Sequence, residues 1–139
     1  MSGSFGWDER AVDLGRSAWI KEKGDRSVGA GDLQYVTSEG KDRWTGNHSK
    51  PTWVAMHGTL EGRETSLAVF CSPDNFRAPQ AVRIHPNKPY FCFAPTVEGS
   101  FQIKPGETYV SKYRYLVTSG ALDKALIEKH WRAYAKGAD

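Results

Sequence analysis

Cysteine is scarce in this sequence: Cys71 and Cys92 are the only two, each lies within an apolar run, and their spacing matches no zinc motif. That argues against a disulfide framework and a thiolate metal site, and two buried thiols in strands are expected instead. Runs of like charge are also missing. The 19 basic and 16 acidic residues are interspersed, for a net charge of +3, so no block of charge points to nucleic acid or a membrane surface as a partner. No apolar stretch is long enough to span a bilayer, and residues 1–10 have neither a basic n-region nor an apolar h-region. The chain as given therefore reads as soluble and cytoplasmic. His48, His57 and His130 lack metal-ligand spacing, and no metal or other cofactor is expected.

What is present suits one compact domain, because 139 residues with 39% hydrophobic content can bury a core of useful size. Residues 1–26 mix Gly and charge around Trp7, Leu14 and Trp19 without a steady period and form a poorly defined N-terminal segment. The domain itself is expected over 27–137. Leu33–Thr37 reads as a strand ending at the turn Ser38-Glu39-Gly40, and Lys41–Lys50 as a polar loop. Thr52–His57 is a second strand, with Pro51 at its start. Residues 60–63 turn the chain into Ser66–Cys71, which is apolar on both faces and so expected in the middle of a layered structure. Val82–His85 and Tyr90–Ala94 are short strands joined by the Pro-rich turn 86–89.

Ser100–Ile103, the turn Lys104-Pro105-Gly106-Glu107 and the long run Thr108–Thr118 predict a hairpin about a type II turn. On Thr108–Thr118 the alternation puts Tyr109, Tyr113, Tyr115 and Val117 on one face and Val110, Lys112, Arg114 and Leu116 on the other. The period then changes. Leu122, Leu126, Ile127, His130, Trp131 and Tyr134 fall on one arc of a helix over 121–136, with Asp123 in its first turn and Gly137 to cap its end. The fold class is mainly β: an antiparallel β-sandwich, half of a larger supersandwich-like domain, with one C-terminal α-helix.

These residues carry a resemblance. The stretch from Cys71 to Pro95, then Phe-Gln-Ile-Lys-Pro-Gly-Glu at 101–107 and Ser-Lys-Tyr-Arg-Tyr-Leu-Val-Thr-Ser-Gly at 111–120, is similar to the C-terminal half of the family labelled methane oxygenase PmoA. Upstream, Tyr-Val-Thr-Ser-Glu-Gly at 35–40, Trp-Thr-Gly at 44–46 and Lys-Pro-Thr-Trp-Val-Ala-Met-His-Gly at 50–58 follow that family in the same order. Where the family has Asp-His-Pro at the end of the central strand, this chain has Cys71, Ser72 and Pro73. The label does not carry its chemistry here, since no apolar span and no set of copper ligands is present. The resemblance implies a galactose-mutarotase-like β-sandwich and a carbohydrate or other small-molecule ligand.

The site is expected where polar residues interrupt apolar strands, between Thr65 and Pro95. His85 suits general acid or base chemistry near neutral pH, with Glu39 as its carboxylate partner, or it holds the Pro-rich turn by hydrogen bonds. Arg83 and Arg114 are expected to hold the substrate through their planar donor forks and to converge with His85 on one concave face. Arg77 either joins them or pairs with Asp74 and Glu98. Asn75 contacts a ligand or closes an Asx-turn, and Tyr90 and Trp53 stack on a sugar ring or serve as core. Two functions follow: a sugar-processing enzyme or its remnant around His85, or a sugar-binding or interaction module without catalysis. A shortened relative without activity is a third. Unpaired sheet edges further predict a homodimer.

Overall fold

The computed structural model describes residues 33–86 and 89–137. The expected N-terminal segment 1–26, the Gly-rich residues that follow it, and Asn87 and Lys88 of the Pro-rich turn lie outside the described residues.

The described chain is mainly β. Its elements are β1 (Gln34–Thr37), α1 (Arg43–Gly46), β2 (Trp53–Leu60), β3 (Arg63–Cys71), β4 (Val82–Ile84), β5 (Phe91–Phe93), a 3-10 turn (Pro95–Glu98), β6 (Tyr113–Ser119) and α2 (Lys124–Ala135). Four strands form an antiparallel sheet in the order β1-β2-β3-β6, and β4 and β5 form a second, two-stranded one. Glu61 and Gly62, both at positive φ, make the two-residue turn between β2 and β3, whose backbone twist matches that of the strands it joins.

Alternation along β2 and β3 divides the side chains of the large sheet between two layers. Trp53, Ala55, Ala68 and Phe70 face α2, packing with Ile127, Leu122, Trp131 and Tyr134. Val54, Met56, Val69 and Cys71 point the other way, where Tyr35 joins them against Val82, Ile84, Phe91 and Phe93 of the small sheet. The result is helix, four-stranded sheet, two-stranded sheet. Each large apolar side chain buried in this way contributes about 1.5–3 kcal/mol. Asp123 is the N-cap of α2 and accepts from the Leu126 amide at 3.0 Å. Gly137 follows the C-cap Lys136 at positive φ. His130 is exposed, outside the helix arc it was expected to join.

Three expectations are corrected. The supposed loop 41–50 contains α1, started by a capping box in which Asp42 accepts from the amides of Trp44 and Thr45 while Thr45 accepts from the Asp42 amide. Ser100–Ile103 forms no strand. The long strand expected over 108–118 begins only at Tyr113 and runs to Ser119. The turn between the two segments is as expected, with Gly106 at φ 85° and Glu107 donating to the Lys104 carbonyl at 3.0 Å. Its flanks form no strand ladder; their aromatics Phe101 and Tyr109 pack on each other at 5.5 Å and on Phe76 at 4.9 and 6.3 Å between ring centroids. Composition favoured strand there, and side-chain packing overrode it.

Candidate functional site

The small sheet positions what the sequence placed around His85. Val82 and Ile84 point into the core, so Arg83 and His85 share the outer face of β4, half-buried. Across the hairpin, Arg83 stands opposite Cys92, and the His85 ring packs at a tilt on Tyr90, 4.9 Å between centroids. The His85 amide donates to the Tyr90 carbonyl at 3.2 Å, extending the pairing beyond the strand ends. Burial pushes the Cys92 thiol pKa up, with Arg83 opposing it, so this thiol stays protonated at neutral pH.

The remaining expected site residues are placed elsewhere. Arg114 lies on the opposite face of the large sheet, its guanidinium 4.6 Å from the ring centre of Tyr134, because Tyr113 on the same strand faces the small sheet and stacks on Phe93. The expected convergence of Arg83, His85 and Arg114 is therefore corrected: two layers separate them. Glu39 is engaged by Lys41 at 2.6 Å on an exposed turn. Trp53 is buried against α2 and its indole donates to Glu128 at 2.8 Å, a bond that holds this carboxyl below its ordinary range. Asn75 accepts from the Lys112 amide at 2.7 Å and donates to its carbonyl at 2.8 Å, as a neighbouring strand would. Arg77 donates to the carbonyls of Pro95 and Gly99 at 2.6 and 2.7 Å and lies over Phe76, pairing with neither Asp74 nor Glu98.

A second group borders this hairpin, and it was not foreseen. Arg43, on α1, is 9% exposed; its guanidinium lies 4.5 Å from the ring centre of Tyr35, and Nη1 donates to the Pro86 carbonyl at 2.8 Å. Tyr35 is 5% exposed and meets Phe91 edge-on. Nη2 of Arg43 and the Tyr35 hydroxyl are both buried without a hydrogen-bond partner. The two groups are near enough for the charge of Arg43 and its side-chain donors to act on the hydroxyl. Burial pushes the Tyr35 pKa up to about 12, against the opposing pull of Arg43. Among the described residues the only other buried side-chain orphan is the indole nitrogen of Trp131, a single neutral donor.

Local packing fixes this placement. A Cβ on Gly46 would stand 2.9 Å from Cγ2 of Thr37 and 3.2 Å from Cδ1 of Ile84, so only glycine lets α1 approach the sheets this closely. Asn47 accepts from the Ile84 amide at 3.0 Å, and His48 and Ser49 bond the backbone of Val82, tying α1 to β4. The legible signal was Asp42 with Thr45 three residues on, a capping pair directly flanking Arg43.

Cys71 and Cys92 are both free. Among the described residues no group of His, Cys, Asp and Glu is placed to hold a metal ion, and no helix is long and apolar enough to cross a membrane. No curated protein and no solved structure matches the chain significantly. One family model does match, over residues 16–132, and on that extent the chain belongs to a family of unknown function, DUF6807.

Proposed function

We propose that this domain binds a carbohydrate at the outer face of the β4–β5 hairpin and does not transform it. The observation that carries this reading is the placement of Arg83, His85 and Tyr90 on that one face, with His85 packed on Tyr90. A tilted aromatic pair offers a sugar its ring faces, and a guanidinium beside it offers donors to hydroxyls. The resemblance to the PmoA-labelled family supports the ligand class. Acid–base chemistry at His85 required Glu39, and Glu39 is held by Lys41 instead. The test is calorimetric titration of the protein with a panel of hexoses and their acids. Binding by at least one sugar that Tyr90→Ala weakens, with the fold unchanged by circular dichroism, is the expected result; no binding, or equal binding by Tyr90→Ala, overturns it.

A second proposal concerns partners. Among the described residues strand β6 pairs with one neighbour, β3, and it carries exposed Val117, at 68%. Edges of this kind invite pairing, and we propose that two copies associate through β6. Analytical ultracentrifugation should show a dimer that Val117→Lys dissociates, and a monomer at every concentration refutes it.

A further inference from the structure

We infer that Arg43 and Tyr35 form a carboxylate subsite, so that the sugar taken by this domain is an acidic one, a uronic or aldonic acid. The inference rests on the carbohydrate reading for the rest of the ligand and on separate observations for the acid. A buried arginine keeps its charge, and an uncompensated buried charge is costly by several kcal/mol. In this protein no carboxylate of the described residues pairs with Arg43: the ion pairs there join Lys41 to Glu39, Lys50 to Glu98 and Arg132 to Glu128. One arm of the guanidinium is committed to the Pro86 carbonyl, and the ring of Tyr35 supplies a further, weaker attraction. That leaves Nη2 and the Tyr35 hydroxyl, both buried and neither with a hydrogen-bond partner. A carboxylate answers both needs at once. Its two oxygens accept one bond from each group, and its charge neutralises the arginine.

The position supports the same ligand. Pro86, whose carbonyl Arg43 holds, directly follows His85, so Arg43 and Tyr35 sit at the end of β4, on the core side of the hairpin whose outer face carries His85 and Tyr90. Nη2 and the Tyr35 hydroxyl are both sealed from solvent, so a carboxylate reaches them only if the Pro86 carbonyl is displaced from Nη1.

The experiment is a thermal-shift series on the full chain at fixed ionic strength, with galactose, galacturonate, glucose, glucuronate, gluconate, glucose 6-phosphate and plain propionate, since a ligand that prefers the native state raises its melting temperature. The acidic sugars are expected to bind at least about tenfold more tightly than their neutral counterparts, the worth of one charge-assisted bond. Arg43→Gln should bring acidic sugars down to the neutral level and leave the neutral sugars unchanged, and Tyr35→Phe should have a smaller effect in the same direction. Should Arg43→Gln not fold, Arg43→Lys, which keeps the charge and loses the fork, is expected to lose most of the preference. Equal stabilisation by galactose and galacturonate overturns the subsite while leaving the carbohydrate reading standing. An Arg43-dependent shift with propionate and none with any sugar supports the subsite and overturns the carbohydrate reading. Stabilisation by glucose 6-phosphate but by no carboxylate overturns the subsite, as does an acidic preference that survives in both Arg43 variants.

Discussion

Gln80 and Arg43 are both buried polar side chains beside the core between the two sheets, but they are treated differently. The Gln80 amide is bonded at both ends, donating to the Phe76 carbonyl at 2.9 Å and accepting from the Tyr113 hydroxyl, while Asn75 alongside pairs twice with Lys112. Arg43 has one bond through Nη1, and its second arm and the neighbouring Tyr35 hydroxyl have none. A closed network of this kind specifies structure, and an open one stores an unmet demand that a ligand can meet. The difference separates polar groups that hold the loop 72–81 from those that await something else.

The sharpest way to break this comparison is to remove a closed group. Gln80→Ala leaves a cavity and removes the acceptor of the Tyr113 hydroxyl, and should cost about 2–4 kcal/mol in urea denaturation. A cost below about 1 kcal/mol would show that the network is dispensable.

Next in size is the response to alkali. Burial pushes Tyr35 and Tyr113 each up to about 12 from an ordinary value of 10.0. Because the folded value is raised, the stability each contributes is complete below pH 10 and is lost as pH rises towards 12, roughly 2–3 kcal/mol for Tyr35 and less for the half-buried Tyr113, where solvent screens the effect. Either Tyr→Phe variant should flatten that loss. In Arg43→Gln both downward influences on Tyr35, the charge of Arg43 and the pull of its side-chain donors, are gone, so its ionisation, followed by ultraviolet absorbance, should move to higher pH. No movement would mean that the guanidinium and the phenol do not sense one another.

Smaller again is Gly46→Ala, which forces α1 away from Thr37 and Ile84 and should cost about 1–3 kcal/mol while also weakening ligand binding at Arg43. Smallest is Tyr35→Phe at neutral pH: removing a hydroxyl that has no partner should change stability by less than about 1 kcal/mol. A larger loss would show that this hydroxyl is already satisfied.

Much of the fold was legible. The alternation of Leu33–Thr37 and Thr52–His57, the two-sided apolar run Ser66–Cys71 and the changed period after Gly120 each matched an element, because each was reinforced by a turn or cap at its ends. The segment 100–112 was not, since Phe101 and Tyr109 favour strand by composition but are drawn off by Phe76 and Arg77, partners too far away in sequence to weigh. The site was read in half. Alternation on β4 correctly set Arg83 beside His85, yet alternation on β6 does not tell which face meets the helix, and Arg114 turned out to face Tyr134. Arg43 was passed over because residues 41–50 look polar and loop-like; its importance comes from burial, which depends on Gly46 and on strands far along the chain.

The account's central claim is that the Arg43 and Tyr35 donors are open and that an acidic sugar closes them. The most direct measurement is side-chain nuclear magnetic resonance of the protein titrated with galacturonate, following the Arg43 guanidinium, the Tyr35 ring and the Gln80 amide together. The account predicts that the Arg43 and Tyr35 signals shift and that rotation about the guanidinium slows, while the Gln80 amide, already bonded, stays where it is. Galacturonate binding that leaves Arg43 and Tyr35 unmoved would contradict it.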